Sequence, residues 1–242
     1  MSGYLDTLAA DLRRDPPEPA RGFADALAAG PAVAVIAEIK RASPSQGAIA
    51  GEVDIAAVAF GYTAGGAAAL SVLCAERDFA GSLDDLAAAR GSSGLPAIAK
   101  DFTLFPEQVA AQRLAGADAI LIILAMVGDG DAGRLLQTAG LLGMDALVEA
   151  HDETEIERAL ALGARVVGVN ARDLQSLRID QARRLELLRR LPDDVVRVAE
   201  SGIESRADVE AARDAGADAV LVGTALMRRP DLIGELTGVP RR

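Results

Sequence analysis

Ala115-Gly116-Ala117-Asp118-Ala119-Ile120-Leu121-Ile122-Ile123-Leu124, residues 115–124, joins a glycine-centred phrase to an uninterrupted apolar run. Glycine just past a helix is the usual C-cap, and a short apolar run bounded by such a turn reads as a buried strand. The phrase returns as Ala64-Gly65-Gly66-Ala67, Leu162-Gly163-Ala164-Arg165 and Ala215-Gly216-Ala217-Asp218, each time ahead of another apolar run. Gly94-Leu95-Pro96 and Gly143-Met144-Asp145 play the same part in the intervening units. The unit repeats about every 20 to 30 residues, the size of a strand followed by a helix.

The pattern gives about eight strands: 33–39, 68–73, 97–100, 119–124, 146–149, 166–170, 195–200 and 219–222. Eight such units predict an α/β protein, a closed (β/α)8 or TIM barrel over 33–242. A doubly wound open sheet is the alternative, but no Gly-x-Gly-x-x-Gly follows the first strand. Residues 1–32 stand outside the repeat. Leu5 to Leu12 and Phe23 to Ala29 read as short helices separated by a proline-rich break, so a helical extension that plugs or caps one domain of 1–242 is expected.

Composition narrows the function. The chain has 242 residues, 50% of them hydrophobic, with 25 Lys and Arg against 36 Asp and Glu, a net charge of −11. That balance argues against nucleic-acid and anionic-membrane partners, and aromatics at 3% are too few for base-stacking platforms. With Cys74 and His151 as the sole residues of their types, thiolate and multi-histidine metal sites are excluded. No apolar stretch reaches the roughly 20 residues that span a bilayer, and no signal pattern opens the chain. A cytoplasmic protein is expected, a monomer or weak homo-oligomer acting on a small molecule.

Several apolar runs end in a polar residue: Glu38 and Lys40, then Lys100, Glu149, Asn170 and Glu200. Glu38 and Lys40 share a face because strand side chains alternate. In a barrel the C-terminal strand ends form one rim, where active sites sit, so these groups converge. A protonated lysine can serve as general acid toward a carbonyl or a departing hydroxyl, with Glu149 as base; a rim salt-bridge network would show the same pattern. Asn170 can orient a substrate hydroxyl or a lysine, and Arg172 can grip a carboxylate. Ser201-Gly202 after the seventh strand and Gly223-Thr224 after the eighth leave backbone N–H groups open to an anion, at the loops that bind phosphate in such barrels. His151 sits in an acidic helix start, and Cys74 reads as a buried, inert thiol.

The wording of the motifs resembles the indole-3-glycerol-phosphate synthase family of tryptophan biosynthesis. The matching phrases are IAEIKRASPSQG at 36–47, ALSVLCAERDFAGS at 69–82, AKDF at 99–102, GADAILII at 116–123, LVEAHDE at 147–153, GVNARDL at 168–174, VAESGI at 198–203 and LVGTALMR at 221–228. The resemblance implies cyclisation of 1-(2-carboxyphenylamino)-1-deoxyribulose 5-phosphate to indole-3-glycerol phosphate with loss of carbon dioxide and water, and no cofactor or metal. It makes Lys100 and Glu149 the acid–base pair and Lys40, held by Glu38, the second catalytic lysine. Asn170 and Arg172 bind substrate, and Glu200 supports. Ser43, Pro44, Phe79 and Leu121 line the substrate site, the last three walling the aromatic ring. Ser201, Gly202, Gly223 and Thr224 form the phosphate cradle, with Arg41 as a further candidate. Ring closure needs a proton for the ketose oxygen, and dehydration needs an acid and a base for the nitrogen-bound proton. The chain departs from the family at Cys74-Ala75 and Asp78, before Phe79, and in a shorter, proline-rich extension. Another phosphosugar barrel, such as a phosphoribosyl isomerase, would not need the two lysines, and a binding barrel would keep only the cradle.

Overall fold

A computed structural model describes residues 17–43, 47–48, 53–173 and 176–242. The expected helix at 5–12 and Pro44 lie outside the described residues. Eight parallel strands close into a barrel: β1 (Ala34–Ile39), β2 (Ala69–Leu73), β3 (Ala97–Lys100), β4 (Ala119–Ile123), β5 (Asp145–Ala150), β6 (Val166–Asn170), β7 (Val196–Glu200) and β8 (Ala219–Val222). The ring closes where β1 pairs with both β8 and β2. All eight expected strands are present, with ends shifted by at most one residue.

The alternation within each strand divides the core in two. Val35, Ala37 and Ile39 of β1 face outward and join the layer between strands and helices, with Tyr62 and Leu86. Ala34 and Ile36 face inward and meet Ile98, Leu121, Leu147 and Val198 in the barrel interior. The same interior cluster takes Phe23, Ala24 and Leu27 from α1 (Phe23–Ala28), all at most 1% exposed. The extension therefore plugs the end where the strands begin.

The recurring glycine phrase has a physical role at that end. Gly66, Gly116, Gly163 and Gly216 take φ of 90°, 96°, 75° and 100°, the left-handed conformation that lets the chain leave a helix and enter a strand. The aspartate that follows some of these glycines ties the strands together. Asp118 accepts the Ala97 N–H at 2.8 Å and pairs with Arg90, while Asp218 accepts the Arg197 N–H at 3.0 Å. Asp145 reaches the plug itself, accepting the Ala24 N–H at 2.9 Å. Aspartates thus secure the lower edge, which leaves the opposite rim free to carry the site.

The outer helices that bear on the site are α2 (Ile55–Ala64), α3 (Glu76–Phe79), α4 (Leu83–Gly91), α5 (Pro106–Leu114), α6 (Asp129–Leu141), α7 (Glu153–Ala161), α8 (Gln181–Leu188), α9 (Arg206–Asp214) and α10 (Thr224–Arg228). A two-stranded ribbon, Ala42–Ser43 against Gly47–Ala48, follows β1 and holds Ser43. No helix among the described residues is long and apolar enough to cross a membrane.

Candidate active site

The inward parity that buries Ile36, Ile98, Leu147 and Val198 lower down puts Glu38, Lys100, Glu149 and Glu200 at the upper end of their strands, two residues on. Lys40 follows Glu38 by the same two-residue step. These side chains line a cavity of about 490 Å³ at the C-terminal rim, together with Asn170, Arg172, Ser201, Gly202, Gly223 and Thr224.

Two lysine groups form. Lys40 Nζ lies 2.9 Å from Glu38 Oε1, and the other oxygen of Glu38 faces Ser71 Oγ at 3.5 Å. Lys100 Nζ sits between two carboxylates, 3.1 Å from Glu149 Oε2 and 3.3 Å from Glu200 Oε2. Glu149 Oε1 accepts a hydrogen bond from Asn170 Nδ2 at 3.1 Å, and Asn170 Oδ1 in turn accepts the Arg172 N–H at 3.0 Å. Asn170 thus orients a catalytic candidate and the following loop at once. Arg172 lines the cavity with its guanidinium on the Leu177 carbonyl at 3.1 Å.

His151 stands behind Glu149. Its Nε2 lies 3.2 Å from Glu149 Oε1 in a bent ion-pair contact, and its Nδ1 lies 3.1 Å from Glu155 Oε2. The sequence reading gave this histidine little weight. The missing signal was Glu155, one helical turn on, whose carboxylate also accepts the His151 backbone N–H at 2.7 Å.

The charges in this buried group are not independent. Burial disfavours the Lys100 ammonium, but Glu149, Glu200 and Glu38 outweigh it and hold the lysine above its ordinary range. Burial likewise would raise Glu149, yet Lys100 and His151 keep it below the usual carboxylate range. Glu200 receives less compensation: burial and the neighbouring Glu149 charge push it up to about 8 against the pull of Lys100. Glu149 is thus the more readily ionised member of the pair, and Glu200 the one that holds a proton more tightly. Burial also opposes the His151 imidazolium, but the close contacts with Glu149 and Glu155 and their charges push it up to about 10.

A pH dependence of stability follows. Glu200 rises from 4.5 to about 8 on folding, so the folded state holds the extra proton and loses stability as pH climbs through that window. His151 rises from 6.5 to about 10, so its contribution is complete below 6.5 and lost as pH rises through 10. Both act in one direction. Tm is expected to fall steadily from about pH 5 to about pH 10, and Glu200→Gln should flatten the lower part of that slope. An unchanged slope in Glu200→Gln would show that Glu200 ionises normally.

Two glycines create the space for these carboxylates. A Cβ on Gly168 would stand 2.0 Å from Glu200 Oε1, and one on Gly223 would stand 2.2 Å from Glu38 Oε1 and 2.9 Å from Lys40 Nζ. In both cases the obstructed atoms are the ends of side chains, so a methyl group would displace the site more than the backbone. Gly223→Ala is expected to keep its Tm within a few degrees while kcat falls about tenfold, the scale of a catalytic group moved off its position. Unchanged turnover would mean that the Glu38–Lys40 geometry is immaterial.

At the far side of the cavity, Ser201 and Gly202 take φ of 59° and 72°, and Gly223 is the N-cap of α10. These segments present backbone N–H groups suited to an anion. The opposite wall is apolar, with Leu73, Phe79, Phe102, Leu121, Ile123 and Met126. Phe79 and Phe102 rings lie 6.3 Å apart at 38°. Phe102 was not singled out from sequence, although it follows Lys100 by two positions. Arg41 departs from the expected cradle: it forms a two-point pair with Asp85 at 2.7 and 3.1 Å, is turned to α4, and does not line the cavity. Cys74 is buried, and burial pushes its thiol well above the ordinary range, leaving it inert. Among the described residues no group of three or more His, Cys, Asp or Glu is placed to hold a metal ion.

Comparisons with known proteins give the family. A family model described as indole-3-glycerol phosphate synthase matches residues 4–237. Relatives carrying that name include one from Micrococcus luteus, 48% identical over 94% of this chain and 92% of its own length. Others come from Beutenbergia cavernae, 48% identical over 86% of this chain and 77% of the relative, and Mycolicibacterium vanbaalenii, 49% over 82% and 73%. A solved structure described as "Native KDPGal structure" superposes with a TM-score of 0.58 at 19% identity, over 84% of this chain and 91% of that one, a likeness of fold.

Proposed function

The chain belongs to the indole-3-glycerol phosphate synthase family, and from that premise we propose that its rim cluster performs the family's ring closure with Lys100, Glu149 and Lys40 as the proton-transfer groups. The reaction makes it a carboxy-lyase of tryptophan biosynthesis, converting 1-(2-carboxyphenylamino)-1-deoxyribulose 5-phosphate to indole-3-glycerol phosphate, carbon dioxide and water.

Three bond changes have to be served. The aromatic carbon bearing the carboxylate attacks the ketose carbonyl carbon, and the carbonyl oxygen takes a proton as the new bond forms. Carbon dioxide then leaves, and the bonding pair it abandons restores the aromatic ring. Finally the new hydroxyl departs as water, and a base takes the proton released from the five-membered ring. Lys100, kept as an ammonium by its carboxylates, is suited to the first transfer. Glu149, kept ionised, is suited to the last. Lys40, fixed by Glu38 on the neighbouring side, faces the substrate carboxylate or the departing hydroxyl.

The observation that carries the reading is the presence of two separately held lysines, on β1 and β3, over one cavity. The cavity also runs from an apolar ring-sized wall at Phe79, Phe102 and Leu121 to the N–H groups at Ser201, Gly202, Gly223 and Thr224. An aromatic ring and a phosphate at those two ends would bend the flexible ribulose across the lysines, the near-attack geometry that ring closure needs. Arg172 and Asn170 complete the polar side as substrate-binding groups. Incubating the protein with the carboxyphenylamino-deoxyribulose phosphate and following indole fluorescence tests the proposal; folded protein without turnover would overturn it.

The proposal also treats the chain as one domain, with 1–32 as an extension of the 33–242 barrel, a reading supported by the packing of α1 against the barrel interior. It places the enzyme in the cytoplasm as a monomer or weak homo-oligomer that needs no nucleic-acid partner.

A further inference from the structure

Behind the Ser201-Gly202 turn lies a buried cation with no carboxylate partner among the described residues. Arg184 of α8 is 1% exposed. Its Nη1 donates to the carbonyl oxygens of Glu200, at 3.3 Å, and of Ser201, while its Nε has no hydrogen-bond partner among the described residues. The acid whose charge favours it, Asp208, already accepts the N–H groups of Glu204 and Ser205. Burial accordingly pulls the guanidinium below its ordinary range. A buried charge needs a counter-charge, and here the groups in direct contact with it are carbonyl dipoles, while Asp208 acts on it without an ion-pair contact.

Gln181, three residues before Arg184 and on the same helical face, donates its Nε2 to the Gly202 carbonyl at 2.9 Å. Three successive carbonyls, those of residues 200, 201 and 202, are therefore drawn toward α8. In a trans peptide the N–H points opposite to the C=O, so the N–H groups of Ser201, Gly202 and Ile203 are turned away from α8, to the side of the cavity these residues line. Successive left-handed residues, φ 59° and 72°, gather those N–H groups into an anion-binding nest. The guanidinium also polarises the peptide groups it holds, which strengthens their N–H groups as donors.

We infer that Arg184 is a positioning residue of the phosphate end: it sets the Ser201–Gly202 nest from behind and provides the buried positive charge that a bound phosphate dianion balances. The inference rests on reading that turn as part of the phosphate cradle. It adds a residue that touches neither substrate nor reacting atoms, and that none of the rim motifs contains.

Inorganic phosphate serves as the probe. In wild-type protein, phosphate at constant ionic strength should raise Tm and shift the amide resonances of Ser201 and Gly202 and the Arg184 Nε–H resonance. Arg184→Met should lose most of the Tm increase and raise KM about tenfold with kcat nearly unchanged, the scale of one charge-assisted hydrogen bond. Arg184→Lys, which restores charge without the fork, should recover part of the phosphate affinity. Equal phosphate affinity in wild type and Arg184→Met would overturn the inference. So would unmoved resonances on phosphate binding to the wild type, a measurement that holds even where the variant does not fold. Either result with wild-type turnover intact would leave the proposed reaction standing. Loss of that reaction with phosphate binding and the Arg184 response preserved would leave the inference standing.

Discussion

Lys100→Met is expected to lower kcat by at least about a hundredfold without unfolding the protein. Methionine matches the length of the lysine stem and packs against the same β3 surroundings, so the barrel loses no volume. What disappears is the ammonium between Glu149 and Glu200. Lys100 pulls both carboxyl groups down, so its removal raises both, and a proton taken up by the pair lets them remain side by side without repulsion. Fold is therefore expected to be preserved while the proposed proton for the ketose oxygen is lost, and KM should move far less than kcat because the proposed role of Lys100 is in the transition state rather than in holding the phosphate. Single-turnover measurements on the folded variant check it. A rate equal to wild type would make Lys100 a structural salt-bridge residue, the other pattern the sequence allowed.

Glu149→Gln is expected to produce a loss of similar size, at least about a hundredfold in kcat, by the opposite deficit. The amide keeps the shape of the side chain and can accept from Asn170, so Asn170 and Arg172 should stay in place. It cannot take a proton. Removing the negative charge also strips His151 of one of the two carboxylates that hold it charged, and its pKa should fall from about 10 toward its ordinary 6.5. Titration of the imidazole by NMR therefore reports the same substitution independently of rate. Retained activity, or an unchanged imidazole titration, would show that Glu149 is neither the base nor the histidine's partner.

Strand positions and rim parity were readable because they depend on local signals: an apolar run, a glycine that ends the preceding helix, and alternation along each strand. Glu38, Lys40, Lys100, Glu149, Asn170 and Glu200 all arrive at the cavity for that reason. The contacts that sequence could not supply join residues far apart in the chain. Arg41 reads as a cation near the substrate until Asp85, 44 positions away, is seen to hold it. Gly168 carries no local mark inside its apolar run, yet its missing side chain is what admits Glu200. Glu200 itself reads as one more carboxylate, and only its burial beside Glu149 pushes its pKa up. Arg184 escapes for the same cause, its partners lying at the end of a neighbouring strand, whereas for His151 the partner Glu155 is local and only the folded chain shows the two joined.

The plug at the lower end has a consequence for traffic. Phe23 and Leu27 pack the floor beneath Ile36, Ile98, Leu147 and Val198, so the reaction chamber is a cup with its floor filled. Among the described residues the cavity opens at the rim, so in the proposed reaction carbon dioxide, water and the indole product leave by the mouth through which substrate came in. With the product's phosphate held at the Ser201–Gly202 end as proposed, the gas and the water would be small enough to slip past it, whereas new substrate would have to wait for that end to clear.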